Sequence, residues 1–151
     1  MMNKKDIIWL AGFFDGEGCI NITKFRQYIC PRIMVSNTNK KVLEFIQENY
    51  GGDIRENSTN KKNHPNWKSG YTYRLQHTKA VKFIKDIFPY LKVKKEQAKL
   101  LLQFYNKSDL VTIKQPTLNA KYRTIRKLTQ KALDRRSLIK KHIMILNKRG
   151  I

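Results

Sequence analysis

Asp15 and Glu17 sit in a stretch that joins groups an ordinary core helix keeps apart: Leu10-Ala11-Gly12-Phe13-Phe14-Asp15-Gly16-Glu17-Gly18. Apolar bulk from Ile7, Ile8, Trp9 and Leu10 runs straight into these two carboxylates and into glycines. Read as a helix from Lys5 to Asp15, closed by Gly16 to Gly18, the stretch puts Gly12 and Gly16 four apart on one face with Ala11 beside them. Glycine costs a helix interior about 1 kcal/mol against alanine, so a pair needs a reason. A face without side chains lets a second backbone come close, as in the Gly-x-x-x-Gly helix pairs of membranes. The helix is therefore expected to pack on a copy of itself in a homodimer, with Ala11, Gly12, Asp15 and Gly16 at the contact. Two symmetry-related acids at one point repel unless a cation lies between them.

The rest of the composition points to a polyanion. Lys and Arg number 32 against 11 Asp and Glu, a formal net charge of +21. With seven Phe, seven Tyr and two Trp beside that charge, a nucleic acid is the leading partner. A ribosome-associated or generally adhesive basic protein is the bland alternative. At 151 residues, 40% of them hydrophobic, the chain is expected to form one domain with a real core. Cys19 and Cys30 are the only cysteines, and His64, His77 and His142 lack metal-ligand spacing, which argues against zinc. On a hairpin over residues 19–36 the two cysteines fall at unmatched heights and should stay free, which fits a reducing intracellular compartment. No apolar run approaches ~18 residues, so no membrane helix is expected. No signal peptide is evident, and no small-molecule cofactor is expected.

The elements that must hold the acids follow in order. From Cys19 the period changes to two, with Ile20 and Ile22 alternating against Asn21, Thr23 and Phe25. Arg26-Gln27-Tyr28 turns the chain into a second strand, where Ile33 and Val35 oppose Arg32, Met34 and Ser36. Asn37-Thr38-Asn39 offers N-caps for a helix striped by Val42, Leu43, Ile46 and Tyr50 and stopped by Gly51-Gly52. A third strand over Asp53–Asn57 and a fourth over Tyr71–His77 flank a polar loop, Ser58–Gly70. Thr78 could cap a helix carrying Val81, Ile84 and Ile87-Phe88, ended by Pro89. Tyr90 to Ala98 opens a fourth helix that continues through Leu101, Leu102 and Tyr105. Lys107–Thr117 resembles a linker. Beyond it, Leu118, Tyr122, Ile125 and Leu128, then Leu133 to Leu146, predict one or two amphipathic helices. Asp134 is the only acid between Leu110 and Ile151. Lys121, Arg123, Arg126, Lys127, Arg135, Arg136, Lys140 and Lys141 are therefore expected to be largely unpaired, a basic side that can meet phosphates without reading sequence.

Two antiparallel hairpins in one sheet need one buried face and leave the other open. The open face would display Asn21, Thr23, Phe25, Gln27, Arg32, Met34, Arg55, Asn57, Thr72, Arg74 and Gln76. Arginine, asparagine and glutamine can make paired hydrogen bonds to purine edges in a major groove. An ordinary solvated polar face fits the same alternation.

Leu10 to Gly18 resembles the motif of the LAGLIDADG homing endonucleases, and the chain carries one copy. The resemblance runs to about residue 105 and implies an α+β fold in the order αββαββα, an antiparallel saddle backed by helices. Residues 107–151 would add a basic helical extension to the core over 1–106. Single-motif members act as homodimers through their motif helices. The last acid of each motif binds divalent metal at the scissile phosphates; by that match Glu17 is the metal ligand and catalytic acid, with the Gly16 carbonyl beside it. Many members carry aspartate there, so glutamate keeps the charge and adds a methylene. The pattern Leu-Lys-x-Lys-x-x-Gln-Ala at Leu91 to Ala98 resembles the segment that places the family's active-site lysine, which makes Lys94 the candidate. Asn37 stands where relatives often carry glutamine and would order water. Lys40 or Lys41 would add peripheral positive charge.

The resemblance implies hydrolysis of double-stranded DNA at a long, near-palindromic site, with 3′ overhangs and a role in intron mobility. Mg²⁺ is the expected ion, since it accepts few protein ligands alongside phosphate oxygens and water; Mn²⁺ or Ca²⁺ would substitute in binding. An intron RNA maturase, or a DNA-binding protein of the same fold without cleavage, is the rival class. The abundance of Lys, Ile and Asn fits an AT-rich genome of a chloroplast, mitochondrion, bacterium or archaeon.

Overall fold

The computed structural model describes residues 2–25, 28–57, 69–105, 109–116 and 122–148. Helix α1 (Lys4–Glu17) starts at Asn3, whose side chain accepts the Asp6 N–H at 2.9 Å. Such a cap satisfies one of the donors that every helix start leaves unpaired. Strands β1 (Gly18–Phe25) and β2 (Tyr28–Asn37) form the first hairpin. Helix α2 (Lys40–Tyr50) follows, capped by Asn39. Gly51 and Gly52 then turn the chain at φ 72° and 96°, a region that side chains disfavour. Strands β3 (Asp53–Glu56) and β4 (Tyr71–Gln76) pair as the second hairpin. Helix α3 (His77–Ile87), a single 3₁₀ turn at Phe88–Tyr90 and helix α4 (Lys95–Leu102) complete the expected order.

The four strands form one antiparallel sheet in the order β1-β2-β4-β3. Its inner face carries Ile20, Ile22, Ile33, Val35, Tyr73 and Leu75, all buried. Helices α1, α2 and α3 pack on that face with Leu10, Phe14, Leu43, Ile46, Phe83 and Ile84. The Phe14 and Phe83 rings meet edge to face at 5.2 Å. Each such buried side chain contributes roughly 1.5–3 kcal/mol relative to exposure, so the apolar alternation fixes which face looks inward. The cysteines oppose different residues, Cys19 opposite Met34 and Cys30 opposite Thr23, and both are free.

The C-terminal third departs from the helices expected there. Leu110–Pro116 and Tyr122–Leu128 are strands, β5 and β6, paired as a separate two-stranded sheet. The stretch expected to be a linker thus holds a strand, and the stripe from Tyr122 to Leu128 is extended. Val111, Thr112, Ile113 and Lys114 pair with Lys127, Arg126, Ile125 and Thr124 across the ladder, and β-branched residues favour the pleated conformation over a helix. One helix follows, α5 (Gln130–Lys148). It buries Ala132, Arg136, Ile139 and Ile143, of which Ile139 and Ile143 join the main core. Two of its arginines are not free, contrary to expectation. Arg135 and Arg136 both donate to Asp109, itself 2% exposed, and the Arg136 guanidinium lies 4.7 Å from the Phe104 ring centroid and 5.1 Å from that of Tyr105. Burial pushes the Tyr105 phenol above its ordinary value, against the pull of Arg136. Among the described residues no helix is long and apolar enough to cross a membrane.

Candidate active site and nucleic-acid interface

Helix α1 divides its sides sharply. Leu10, Ala11 and Phe14 are buried, whereas Gly12 and Gly16 are exposed, and a Cβ placed on either would meet nothing within 4 Å. Ile8 and Trp9 add exposed apolar surface at 45% and 46%. The Trp9 ring stacks on Phe13 at 5.3 Å and meets Phe45 edge-on. Ala11 does not share the free glycine face. One residue along a helix is a rotation of about 100°, which turns Ala11 into the chain's own core.

At the end of α1 the two acids part company. The Asp15 carboxylate accepts the backbone N–H groups of Lys92 at 2.6 Å, Val93 at 3.2 Å and Lys94 at 2.9 Å. Three successive amides wrapped round one carboxylate form an anion-binding nest. This is why α4 starts at Lys95 and not at Tyr90: the amides of 92–94 are spent on Asp15, with Lys94 as the helix N-cap. The Lys94 ammonium reaches back and donates to the Asp15 carbonyl. Glu17 is exposed and has no hydrogen-bond or ion-pair partner among the described residues. The Gly16 carbonyl is among the last four of the helix, which find no partner within it. Its neighbours are taken, Phe14 O by the Gly18 N–H and Asp15 O by Lys94.

A hard divalent ion suits this donor set. An unpaired carboxylate and a helix-end carbonyl provide oxygen ligands, and the nearby Lys94 ammonium is already held by a carbonyl and leaves the carboxylate unpaired. Among the described residues no three His, Cys, Asp or Glu side chains cluster, so an ion on Glu17 would take its other oxygens from a second chain, a phosphate or water. Asn37 spends its side-chain oxygen on the Asn39 N–H at 2.8 Å, in the turn that starts α2, and no described contact joins it to Glu17 or Lys94. Burial raises the Cys19 thiol above its ordinary value, while Lys94 and Arg32 pull it down, which puts both cations near the start of β1.

The outer face of the sheet is organised in cross-strand rows. Cys19, Met34, Arg74 and Asp53 align; so do Asn21, Arg32 and Gln76, and Ser36, Thr72 and Arg55. Arg32 and Arg74 each hold a buried Nε without an acceptor. Such a donor costs free energy until an acceptor reaches it. Thr72 lies on this face but is only 8% exposed: its hydroxyl bonds Ser36 at 2.9 Å and donates to Asn57 at 3.2 Å. Thr72 and Asn57 thus brace the face as well as line it. Thr23 contacts the Cys30 thiol at 3.5 Å. Phe25 closes the backbone ladder of β1 opposite Tyr28, and Gln27 lies outside the described residues.

A model of the LAGLIDADG endonucleases matches residues 10–106. The chain belongs to this family. A probable intron-encoded endonuclease, aI2, of Debaryomyces hansenii is 33% identical over 73 residues, 48% of this chain and 10% of that protein. The DNA endonuclease I-CvuI of Chlorella vulgaris is 32% identical over 109 residues, 66% of this chain and 63% of that protein. The chain therefore spans less than two thirds of the length of either relative. In structure it is similar to I-CvuI bound to its target in the presence of Ca, with a TM-score of 0.63 and 24% identity over 94% of this chain and 82% of the other. An archaeal intron-encoded homing endonuclease complexed with DNA gives a TM-score of 0.65 at 21% identity over 94% and 84%. At these identities the likeness shows the LAGLIDADG fold, an α+β antiparallel saddle with helices behind it.

The matched span contains every candidate site residue, Glu17 and Lys94 included. Two features were not foreseen in the sequence. That Asp15 bonds backbone donors at the helix end is what its position leads one to expect, but that Lys92–Lys94 supply them leaves no local signal, because they lie 77 to 79 positions away. Asp109, the anchor of α5, is a lone acid whose partners come 26 and 27 residues later.

Proposed function

We propose that this LAGLIDADG chain is a metal-dependent, site-specific DNA endonuclease that works as a homodimer, its subunits meeting along the Gly12–Gly16 face of α1. The observation that carries the reading is the contrast at the end of α1. Of the two motif acids, Asp15 is consumed by backbone donors and Glu17 projects unpaired beside a tethered lysine. In so basic a chain an exposed carboxylate left without a cationic partner, the nearby Lys94 ammonium being held on the Asp15 carbonyl, is suited to holding a metal. The similarity to endonucleases, one of them seen with its DNA target and Ca, supports the same reading.

Glu17 and the Gly16 carbonyl would hold the divalent ion. When bound, such an ion neutralises charge on the phosphate and acidifies a water. The chain's own residues do the rest. Lys94 offers an Nζ donor near the phosphate and stabilises the negative charge that builds on it. Asp15 holds the Lys94 backbone in register with the helix end. The arginines of the outer face supply donors that reach base edges, and Asn37 orders water at the periphery. Apposed copies of α1 would set one Glu17 on each strand of the duplex, giving staggered cuts with 3′ overhangs at a near-palindromic site and thereby intron mobility.

Incubation with duplex spanning the intron insertion site and Mg²⁺ tests the reading. Paired staggered cuts are expected, and Glu17→Gln should abolish them while sparing DNA binding. Tight binding to intron RNA with no cutting of any duplex would replace the endonuclease by a maturase. A Glu17→Gln protein that cuts at the parent rate removes Glu17 from the chemistry.

A further inference from the structure

Among the described residues, Asp53 is the one acid in the three cross-strand rows of the outer face. Its strand partner is Arg74, which lies on that face because its neighbours Tyr73 and Leu75 are buried on the other. Ile54, next to Asp53, packs against the core, which leaves Asp53 on the outer side with Arg74. Directly opposed side chains of this kind have Cβ atoms about 4.5–5.5 Å apart. At that spacing a carboxylate and a guanidinium are expected to pair. Instead, neither Asp53 nor Arg74 has an ion-pair or hydrogen-bond partner among the described residues. The Arg74 Nε is buried and lacks an acceptor. Both charges are therefore free to meet a ligand on the face. Helix α5 covers one border of the sheet, where Asn147 donates to the Ile20 carbonyl of β1 at 2.9 Å. Asp53 is exposed on β3, the opposite border.

An acid here works against the rest of the chain. A formal net charge of +21 gathers a polyanion, and a lone carboxylate on the contact face repels phosphate oxygens. A phosphate held by Arg74 would lie against Asp53. Base edges carry no such charge, and one of them complements the pair. In the major groove a G·C pair presents guanine N7 and O6, which accept, beside cytosine N4, which donates. A guanidinium fork donates twice, and an ionised carboxylate only accepts. We infer that Arg74 and Asp53 read the two members of one G·C pair in each half-site, Arg74 the guanine and Asp53 its cytosine. The assignment rests on the proposed endonuclease reading and supplies one base pair of its target. Asp53 rejects as well as contacts: thymine O4 in the cytosine's place would set an acceptor against a carboxylate.

Full-length parent, Asp53→Asn and Arg74→Gln are each equilibrated in Ca²⁺ with duplexes carrying every single base change across the intron insertion site. The parent should favour G·C at one position of each half-site. Asparagine keeps the shape and offers a donor beside its acceptor, so Asp53→Asn should lower discrimination against thymine at that cytosine by roughly tenfold. Its affinity for random duplex should hold or rise, because a negative charge leaves the face. Arg74→Gln should relax the guanine of the same pair. Glu48→Gln, which removes an exposed acid from α2 behind the sheet, should keep the parent profile. Variants that retain the parent profile, or that relax different base pairs, overturn the assignment. An equal loss of affinity for every duplex in Asp53→Asn also overturns it, since that marks Asp53 as a brace of β3. A parent that selects no duplex overturns the endonuclease reading, and this assignment with it.

Discussion

Replacing Asp15 by asparagine isolates the contact that joins the motif helix to the lysine loop. The carboxylate serves three amides, two on Oδ2 and one on Oδ1. Asparagine retains one oxygen and turns an NH₂ toward the donor left over. Hydrogen bonds to a charged acceptor contribute roughly 1.5–3 kcal/mol each. Solvent reaches this carboxylate and the three bonds share one group, so the lower figure applies and they do not add. The expected net loss for the group as a whole is about 2 kcal/mol, well short of three independent bonds. For a chain of this size that lowers the melting temperature by roughly 4–8 °C. The melting is measured at fixed chain concentration, because dimerisation shifts the midpoint. The functional consequence is separate. With the Lys92–Lys94 loop released, kcat for target cleavage in Mg²⁺ should fall while DNA affinity stays near the parent's. A variant matching the parent in both melting temperature and cleavage rate would refute the positioning role of Asp15.

Three further outcomes follow from the same geometry. A Cβ at Gly12 meets no atom within 4 Å in the isolated chain, so Gly12→Leu should preserve folding and improve helix propensity by up to ~1 kcal/mol, while sedimentation should show monomers where the parent dimerises; a dimer that persists would argue against the α1 contact. Burial, with help from Asp86 at Tyr50, pushes the phenols of Tyr50 and Tyr73 well above the ordinary value of 10.0. The folded chain then holds these protons more tightly than the unfolded one, so the stabilisation is complete below about pH 10 and drains away as pH rises toward the folded values. Tyr73→Phe should flatten that alkaline loss of melting temperature, and an unchanged alkaline slope would contradict the assignment. Arg136→Met removes one of the arginines on buried Asp109 and should cost about 3 kcal/mol in urea unfolding; a loss under about 1 kcal/mol would mean that the carboxylate is satisfied without Arg136.

The saddle was legible because its signals are local. Glycine spacing, the switch from period 3.6 to period 2 at Cys19, and the Gly51-Gly52 stop each act within a few residues of where they are read. The lysine loop was not legible for the opposite reason. Tyr90 to Ala98 carries the apolar spacing of a helix, and only a carboxylate contributed by α1 diverts its amides. Residues 110–128 hold two competing periods. Leu118, Tyr122, Ile125 and Leu128 fit a helix, while the facing runs of β-branched residues fit a ladder that forms only when both strands are present. Charge counting marked Arg135 and Arg136 as free because Asp109 lies just outside the acid-poor stretch, and only the packing of α5 brings it into reach.

Docking Asn147 on the Ile20 carbonyl bears on how this protein behaves when concentrated. Fibrils grow by adding chains to exposed strand borders. One border of the saddle is roofed by α5, and the other, β3, is a four-residue stub bearing Asp53, Arg55 and Glu56. Neither offers a long, uncharged template for a foreign strand. Trimming α5 before Asn147 would uncover β1, and the shortened protein should form thioflavin-positive aggregates that the intact chain resists.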